Sequence, residues 1–264
     1  MSSTLKQKKL YLLDMDGTIY LDNDLFDGVL EFLAHIKQIG GRYMFLTNNS
    51  SKSVNKYIEK LASLGIESTK EDFLTSTDAT ILYLKDKPYK KIYALGTTSF
   101  KEQLRDAGYP ITDKLEDDID CLCMGFDTEL CFQKLEDACI ILGRGVDYIA
   151  TNPDWVCPTW YGYVPDCGSV SQMLYNATKR MPKFIGKPEP DMALLAIESS
   201  GFAKEEAVLI GDRLYTDIAC GVNAGISTIF VLSGEGTLED MEKSEQKPEF
   251  VFENIQAVYC EITQ

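Results

Sequence analysis

The sequence predicts an α/β fold, a doubly wound parallel sheet with a second α/β unit inserted into it. Three observations predict it. Short apolar runs alternate with segments of helical spacing along most of the chain. The strand–helix–strand–helix pattern of the start returns late, after a middle stretch with a set of its own. Turn residues and carboxylates directly follow several of the runs, as at the C-terminal strand ends where such sheets bind ligands.

Leu10–Leu13 is a short apolar run with turn chemistry after it, a buried strand. Residues 28–39 carry Val29, Leu30, Leu33, Ile36 and Ile39 at helical spacing, ended by Gly40-Gly41. Residues 42–46 form a second buried strand that runs into Thr47-Asn48-Asn49-Ser50-Ser51, and 53–64 are helical, stopped by Gly65. In the middle, 91–95, 119–124 and 148–150 read as strands, 98–106 and 130–142 as helices. Residues 190–200 are a helix entered at Pro190 and ended by Gly201. Strand 207–210 runs into Gly211-Asp212-Arg213, and helix 216–224, strand 227–232, an acidic helix near 237–243 and strand 249–252 follow. Pro and charge mark seams near Asp86-Lys87-Pro88 and Arg180-Met181-Pro182. The expected division is a core of 1–82 with 182–264, and an inserted unit of 83–181.

A chain of 264 residues, 45% hydrophobic, has enough apolar content for one or two domains. Its formal net charge of −15 repels polyanions, which argues against nucleic acid and anionic membrane as partners. An anionic substrate then needs a local positive site, from a metal, a lysine or backbone N–H groups. No apolar run approaches the about 18 residues of a spanning helix. The N-terminus has no apolar signal core, so the expected compartment is the cytoplasm. The eight cysteines contain no Cys-x-x-Cys pair, and the one histidine, His35, lies far from them in sequence, which argues against structural zinc and a disulfide framework. One histidine also argues against a Ser-His-Asp hydrolase. Cys121 and Cys123 alternate along a strand and read as small buried apolar residues.

Asp14 and Asp16 are two apart, so at a strand end they share a face. Two like charges this close are costly unless a cation sits between them or one keeps a proton. Gly17 permits a sharp turn, and the Thr18 hydroxyl can bond backbone or a carboxylate. The plainer reading is an acidic turn that caps a helix. Three further segments suit a phosphate: Thr47-Asn48-Asn49 as an anion cradle of hydroxyl and N–H groups, Gly186-Lys187-Pro188 as a fixed ammonium, and Gly211-Asp212-Arg213-Leu214-Tyr215-Thr216-Asp217. Each alone is weak; their order, each at a strand end or a turn into a helix, gives them weight.

These four elements, in this order, resemble the haloacid dehalogenase superfamily of aspartyl phosphotransferases over essentially the whole chain. Gly125-Phe126-Asp127 and Ala150-Thr151-Asn152-Pro153-Asp154 resemble the large type IIA cap of its NagD-like p-nitrophenyl phosphatase branch, and Leu232-Ser233-Gly234 also fits. The resemblance implies a Rossmann-like core with an inserted α/β cap that closes over the site and sets specificity. It implies a Mg2+-dependent phosphatase of small phosphorylated metabolites, such as nucleoside monophosphates or sugar phosphates. Asp14 would be the nucleophile and form an aspartyl-phosphate, and Asp16 would give and take the proton. The metal ligands would be Asp14, the backbone carbonyl of Asp16, and Asp212. Thr47 and Lys187 would hold the phosphoryl oxygens with Asn48 near them, Asp217 would orient Lys187 or a water, and Thr18 would support the turn. Asp16 speaks against a dehalogenase, which has no alkoxide to protonate. A phosphomutase or phosphotransferase, and a non-catalytic phosphate-binding module, stay open.

The aromatic cluster Trp155, Trp160, Tyr161 and Tyr163 reads as cap core, as an interface between caps in a homodimer, or as a wall that stacks on the substrate. Asn152 and Asp154 face the substrate or make a turn. Glu116-Asp117-Asp118 is expected to be a solvated loop.

Overall fold

The computed structural model describes residues 5–264. The chain divides into two compact units. The first comprises residues up to Thr47, Tyr57–Leu74 and Lys187–Gln264. Its elements are β1 (Leu10–Leu13), β2 (Tyr20–Leu21), β3 (Asp24–Leu25), α1 (Val29–Gln38), β4 (Arg42–Thr47), α2 (Val54–Ser63), β5 (Phe73–Thr75), α3 (Asp191–Ser200), β6 (Ala207–Gly211), α4 (Ala219–Ala224), β7 (Ser227–Val231), α5 (Leu238–Lys243), β8 (Phe250–Phe252) and α6 (Ile255–Thr263). The ends of α2 and β5 cross into the second unit.

Six strands form one sheet in the order β8-β7-β6-β1-β4-β5. All four side chains of β1 are buried, as expected for a strand covered on both faces. Tyr11 meets Phe32 of α1 edge-on, centroids 5.3 Å apart. β1 runs parallel to both neighbours, with Leu13 level with Ile210 of β6 and Phe45 of β4. This register brings the residues after β1, β4 and β6 to one end of the sheet. After β1 the chain turns, Asp16 bridges to Tyr20, and β2 and β3 make a short antiparallel hairpin.

The second unit comprises Asn48–Lys56 and Thr75–Gly186. Its five-stranded sheet has the order Lys183–Phe184, Asp147–Ala150, Cys121–Met124, Ile92–Leu95, Ile111–Thr112, every pair parallel. The strand period of two separates its cores. Leu122 and Met124 pack with Tyr93, Leu95 and the helices Phe132–Gly143 and Cys167–Thr178. Cys121 and Cys123 pack with Ile92, Ala94 and with Phe100 and Leu104 of helix Thr98–Asp106. A hairpin pairs Val156–Thr159 with Gly162–Pro165. All eight cysteines are free thiols.

The strands and helices read from sequence lie within two residues of those observed, apart from 216–224. There a π-helical turn, Leu214–Ile218, precedes α4. The division between units differs more. Residues 76–82, most of helix Ser76–Leu84, and strand Lys183–Phe184, all expected in the core, belong to the second unit. Leu84 packs with Ile92 and Phe100, and Lys183–Phe184 extends the sheet beside Asp147–Ala150. Residues 48–56 also belong there, where the Ser50 hydroxyl lies 2.9 Å from that of Thr151 and accepts the Phe126 N–H at 2.8 Å. The aromatic residues are not cap core: Trp160 is 84% exposed, Tyr161 64% and Tyr163 58%. Asn152 and Asp154 are buried, Asn152 donating to Asp166 and Asp154 accepting from Asn48. In the acidic loop, Glu116 and Asp118 both pair with Lys91, while Asp117 is fully exposed. No described helix is long and apolar enough to cross a membrane.

Leu12 is fully buried in the strand that most of the first sheet is built around. Leu12→Ala is expected to cost about 2–5 kcal/mol. Urea unfolding should show it as a lower midpoint at unchanged slope.

Candidate active site

The parallel register places Asp14 one residue beyond β1, its N–H bonded to Ile210 O of β6 at 2.9 Å. The Lys187 ammonium lies beside it, almost fully buried. It donates to Asp14 Oδ1 at 2.6 Å, to Asp217 Oδ1 at 2.6 Å and to the Leu46 carbonyl of β4 at 3.0 Å. An ammonium has three protons, and these three acceptors take them. Asp217 is aimed by the π-helical turn after β6: its N–H and that of Ile218 both bond Arg213 O, and its Oδ2 accepts the Arg213 N–H at 3.1 Å. Such wide turns recur at functional sites.

Asp212, also buried, completes the cluster. Its Oδ2 accepts the Glu235 N–H at 2.7 Å, and its Oδ1 lies 3.5 Å from the Thr18 hydroxyl. Asp14, Asp212 and Asp217 each offer a carboxylate oxygen, all within 4.8 Å of one another. Glycine makes the approach possible. Gly17 has φ +87°, and a Cβ there would fall 2.6 Å from Asp212 Oδ2. A Cβ at Gly211 would collide with the Asp217 side chain.

Three carboxylates against one ammonium leave two negative charges uncompensated. Burial, then the charge of Asp217, pushes the Asp14 carboxyl well above its ordinary range, although Lys187 opposes the rise. Burial and Asp217 push Asp212 up to about 7. Burial alone would lower Lys187, but Asp14 and Asp217 outweigh it and raise its pKa, so it stays charged. Oxygen donors with unmatched negative charge suit a hard divalent cation. Of the three, Asp217 is the one held at one oxygen by the Lys187 ammonium and at the other by a backbone N–H, that of Arg213.

The structure therefore brings together Asp14, Lys187, Asp212 and Asp217, with Thr18 against Asp212. Asp16 lies on the turn after them. Thr47 is buried at the end of β4. Asn48, the next residue, belongs to the second unit, where its side-chain amide donates to Asp154 Oδ1 at 3.1 Å. Sequence reasoning gave no role to Ser233 and Glu235. The Ser233 hydroxyl donates to Gly17 O at 2.7 Å, and the Glu235 N–H holds Asp212. The signal was the Ser-Gly step after β7, which resembles the family but carries no chemistry by itself.

Residues 11–110 match the family profile of haloacid dehalogenase-like hydrolases, and 184–258 match a second HAD-hydrolase-like profile. An acid sugar phosphatase of Staphylococcus aureus is 34% identical over 98% of this chain and 99% of its own. The structure of a 4-nitrophenylphosphatase from Thermotoga maritima superimposes with a TM-score of 0.90 at 40% identity, over 98% of this chain and 99% of that one. A glycerol phosphate phosphatase of Mycobacterium tuberculosis, in complex with magnesium, gives a TM-score of 0.88 at 27% identity, over 97% of this chain and 77% of that one.

A carboxyl whose pKa is raised on folding adds stability that is full below its unfolded value, near 3.8 for Asp212, and is lost as pH rises through the folded value, about 7. In chelator, the melting temperature should therefore lose a contribution between pH 4 and 8. Asp212→Asn should lose less over the same range. A divalent cation added at pH 8 should restore the wild-type melting temperature and do little for the variant.

Proposed function

The chain belongs to the haloacid dehalogenase-like hydrolases, and we propose that it is a Mg2+-dependent phosphatase of small phosphomonoesters. The observation that carries this reading is the buried Lys187 ammonium, 2.6 Å from both Asp14 and Asp217, with Asp212 completing a carboxylate cluster that lacks positive charge. Asp14 acts as nucleophile. Its oxygen forms a bond to phosphorus as the ester P–O bond breaks, and the departing alkoxide takes a proton from Asp16. Asp16, now a carboxylate, takes a proton from water. The water oxygen bonds to phosphorus, the Asp14–phosphorus bond breaks, and inorganic phosphate leaves with Asp14 restored. Lys187 fixes the direction of the Asp14 carboxylate, and Asp217 holds Lys187 in place. Thr47 and the backbone N–H of Asn48 bind phosphoryl oxygens, the Asn48 side chain being engaged with Asp154. Thr18 steadies Asp212. Magnesium would be held by Asp14, Asp212 and the Asp16 carbonyl, and when bound supplies positive charge for the phosphoryl oxygens.

Relatives described as acid sugar phosphatase, 4-nitrophenylphosphatase and glycerol phosphate phosphatase support a small ester as substrate. We assign its selection to the second unit, as a cap. Eight free thiols suit a reducing compartment, so we place the protein in the cytoplasm. Exposed Trp160, Tyr161 and Tyr163 support a homodimer through that unit. Sedimentation should then show Trp160→Ser as a lighter species than wild type.

The deciding experiment is phosphate release from p-nitrophenyl phosphate, nucleoside monophosphates, sugar phosphates and phosphoglycolate, with Mg2+ or chelator. Release should require Mg2+ and fall by roughly 1,000-fold or more in Asp14→Asn, with an unchanged circular dichroism spectrum. Substantial turnover in that variant would overturn the nucleophile assignment.

A further inference from the structure

Lys60, in the last turn of α2, has no part in the mechanism above, yet its ammonium reaches the turn that carries Asp16. It lies 3.6 Å from the centroid of the Tyr20 ring and 3.9 Å from Asp16 Oδ1. The two contacts join the ends of one short loop. Asp16 and Tyr20 are bridged, and the Gly17 N–H donates to Tyr20 O at 2.8 Å. On the other side of the same turn the Ser233 hydroxyl holds Gly17 O. The backbone of the turn is thus fixed on both sides, and Lys60 is the cation that reaches from its closing residue to its carboxylate. Tyr20 is fully buried, so the ring is a rigid seat for the ammonium. The Lys60 side chain is 20% exposed and that of Asp16 29%. The pair is therefore only partly wet, and its geometry is set by the ring rather than by solvent.

We propose that Lys60 is a positioning residue for Asp16, its charge facing one carboxyl oxygen so that the other carries the proton exchanged with the leaving group. This rests on the reading of Asp16 as the proton donor. At 3.9 Å the ammonium acts on Oδ1 through its charge rather than through a hydrogen bond. Positive charge beside Oδ1 disfavours a proton there, so the proton of the acid form sits on Oδ2. Fixing which oxygen carries the proton fixes the direction of its delivery. Positioning of this kind matters only where a proton is needed. An alkyl phosphate expels a strongly basic alkoxide and needs the acid. p-Nitrophenyl phosphate expels a weakly basic phenolate and does not.

The test compares kcat/KM for glycerol phosphate and p-nitrophenyl phosphate, with Mg2+, in wild type, Lys60→Met, Lys60→Arg and Asp16→Asn. This parameter covers the steps up to departure of the alcohol and leaves out the hydrolysis of the aspartyl-phosphate. Methionine keeps an apolar stem and a sulfur against the Tyr20 ring. Lys60→Gln replaces it if the methionine variant melts early. Lys60→Met should lower kcat/KM for glycerol phosphate roughly 10- to 100-fold and leave p-nitrophenyl phosphate near wild type. Lys60→Arg should recover most of the loss. Equal losses on both esters, or an unchanged ratio between them, would overturn the proposal. A ratio unchanged in Asp16→Asn would instead overturn the acid assignment beneath it, so the two failures are told apart.

Discussion

The first unit depends on one buried ammonium. Lys187 is 2% exposed. A charge so placed is costly unless every proton finds an acceptor. It finds three: a carboxylate after β1, a carbonyl of β4, and a carboxylate on the turn after β6. Those acceptors come from three chain segments, and the lysine from a fourth. The parallel register makes the meeting possible, because Leu13, the last residue of β1, lies level with Phe45 and Ile210 near the ends of β4 and β6. Removing one partner of a buried pair of this kind typically costs about 3–5 kcal/mol. The residues assigned to chemistry are thus also residues on which the fold closes.

The same ammonium cannot balance its surroundings. Asp14, Asp212 and Asp217 crowd one small volume, and burial pushes Asp14 and Asp212 towards their neutral forms. The polypeptide tolerates this by close fitting. Gly17 and Gly211 let backbone approach the carboxylates where any side chain would collide. Backbone N–H groups of Arg213 and Glu235 meet Asp217 and Asp212. Asp217 is engaged at both oxygens, by the ammonium and by the Arg213 N–H. Asp14 meets the ammonium and Asp212 a backbone N–H, a distinction that three aspartates in a sequence do not make.

Much of this was legible, for a physical reason. A buried parallel strand is a short apolar run, and its functional residues come directly after it, so Leu10–Leu13 with Asp14 and Ala207–Ile210 with Asp212 announce themselves within a few positions. Helices with an apolar stripe and a glycine stop, such as α1 and α3, were equally plain. Helix Ser76–Leu84 was not, because it buries Ser76, Thr77 and Thr80 along with its apolar residues and has no polar stripe to mark its period. Helix Cys167–Thr178 opens Cys-Gly-Ser, which reads as loop, although Asp166 caps it by accepting the Cys167 N–H. The two-residue strands at Tyr20–Leu21 and Asp24–Leu25 are too short to carry a period. Lys60 was invisible for another reason: α2 shows a lysine on a polar face, and only the fold places Tyr20 and Asp16 beneath it.

The acidity of the whole chain sharpens what the site has to do. At a net charge of −15 the surface repels a phosphate dianion at long range, and salt screens that repulsion over about 10 Å. Attraction must therefore be local and strong. Lys187 does not supply it alone, since its protons are taken by protein acceptors. A divalent cation brings the three carboxylates and the ammonium to neutrality and no further. On the proposed mechanism, what would then favour the anion is uncharged donors, the Thr47 hydroxyl and the Asn48 N–H, each worth more where water is excluded than in bulk. On this account neutralisation and recognition are separate tasks. A bound metal with Lys187 would cancel what the fold has concentrated, and uncharged donors would then hold a phosphoryl group whose charge they do not match one for one. Such a site would bind the phosphoryl group without clamping it, and so would release inorganic phosphate once the aspartyl ester is broken.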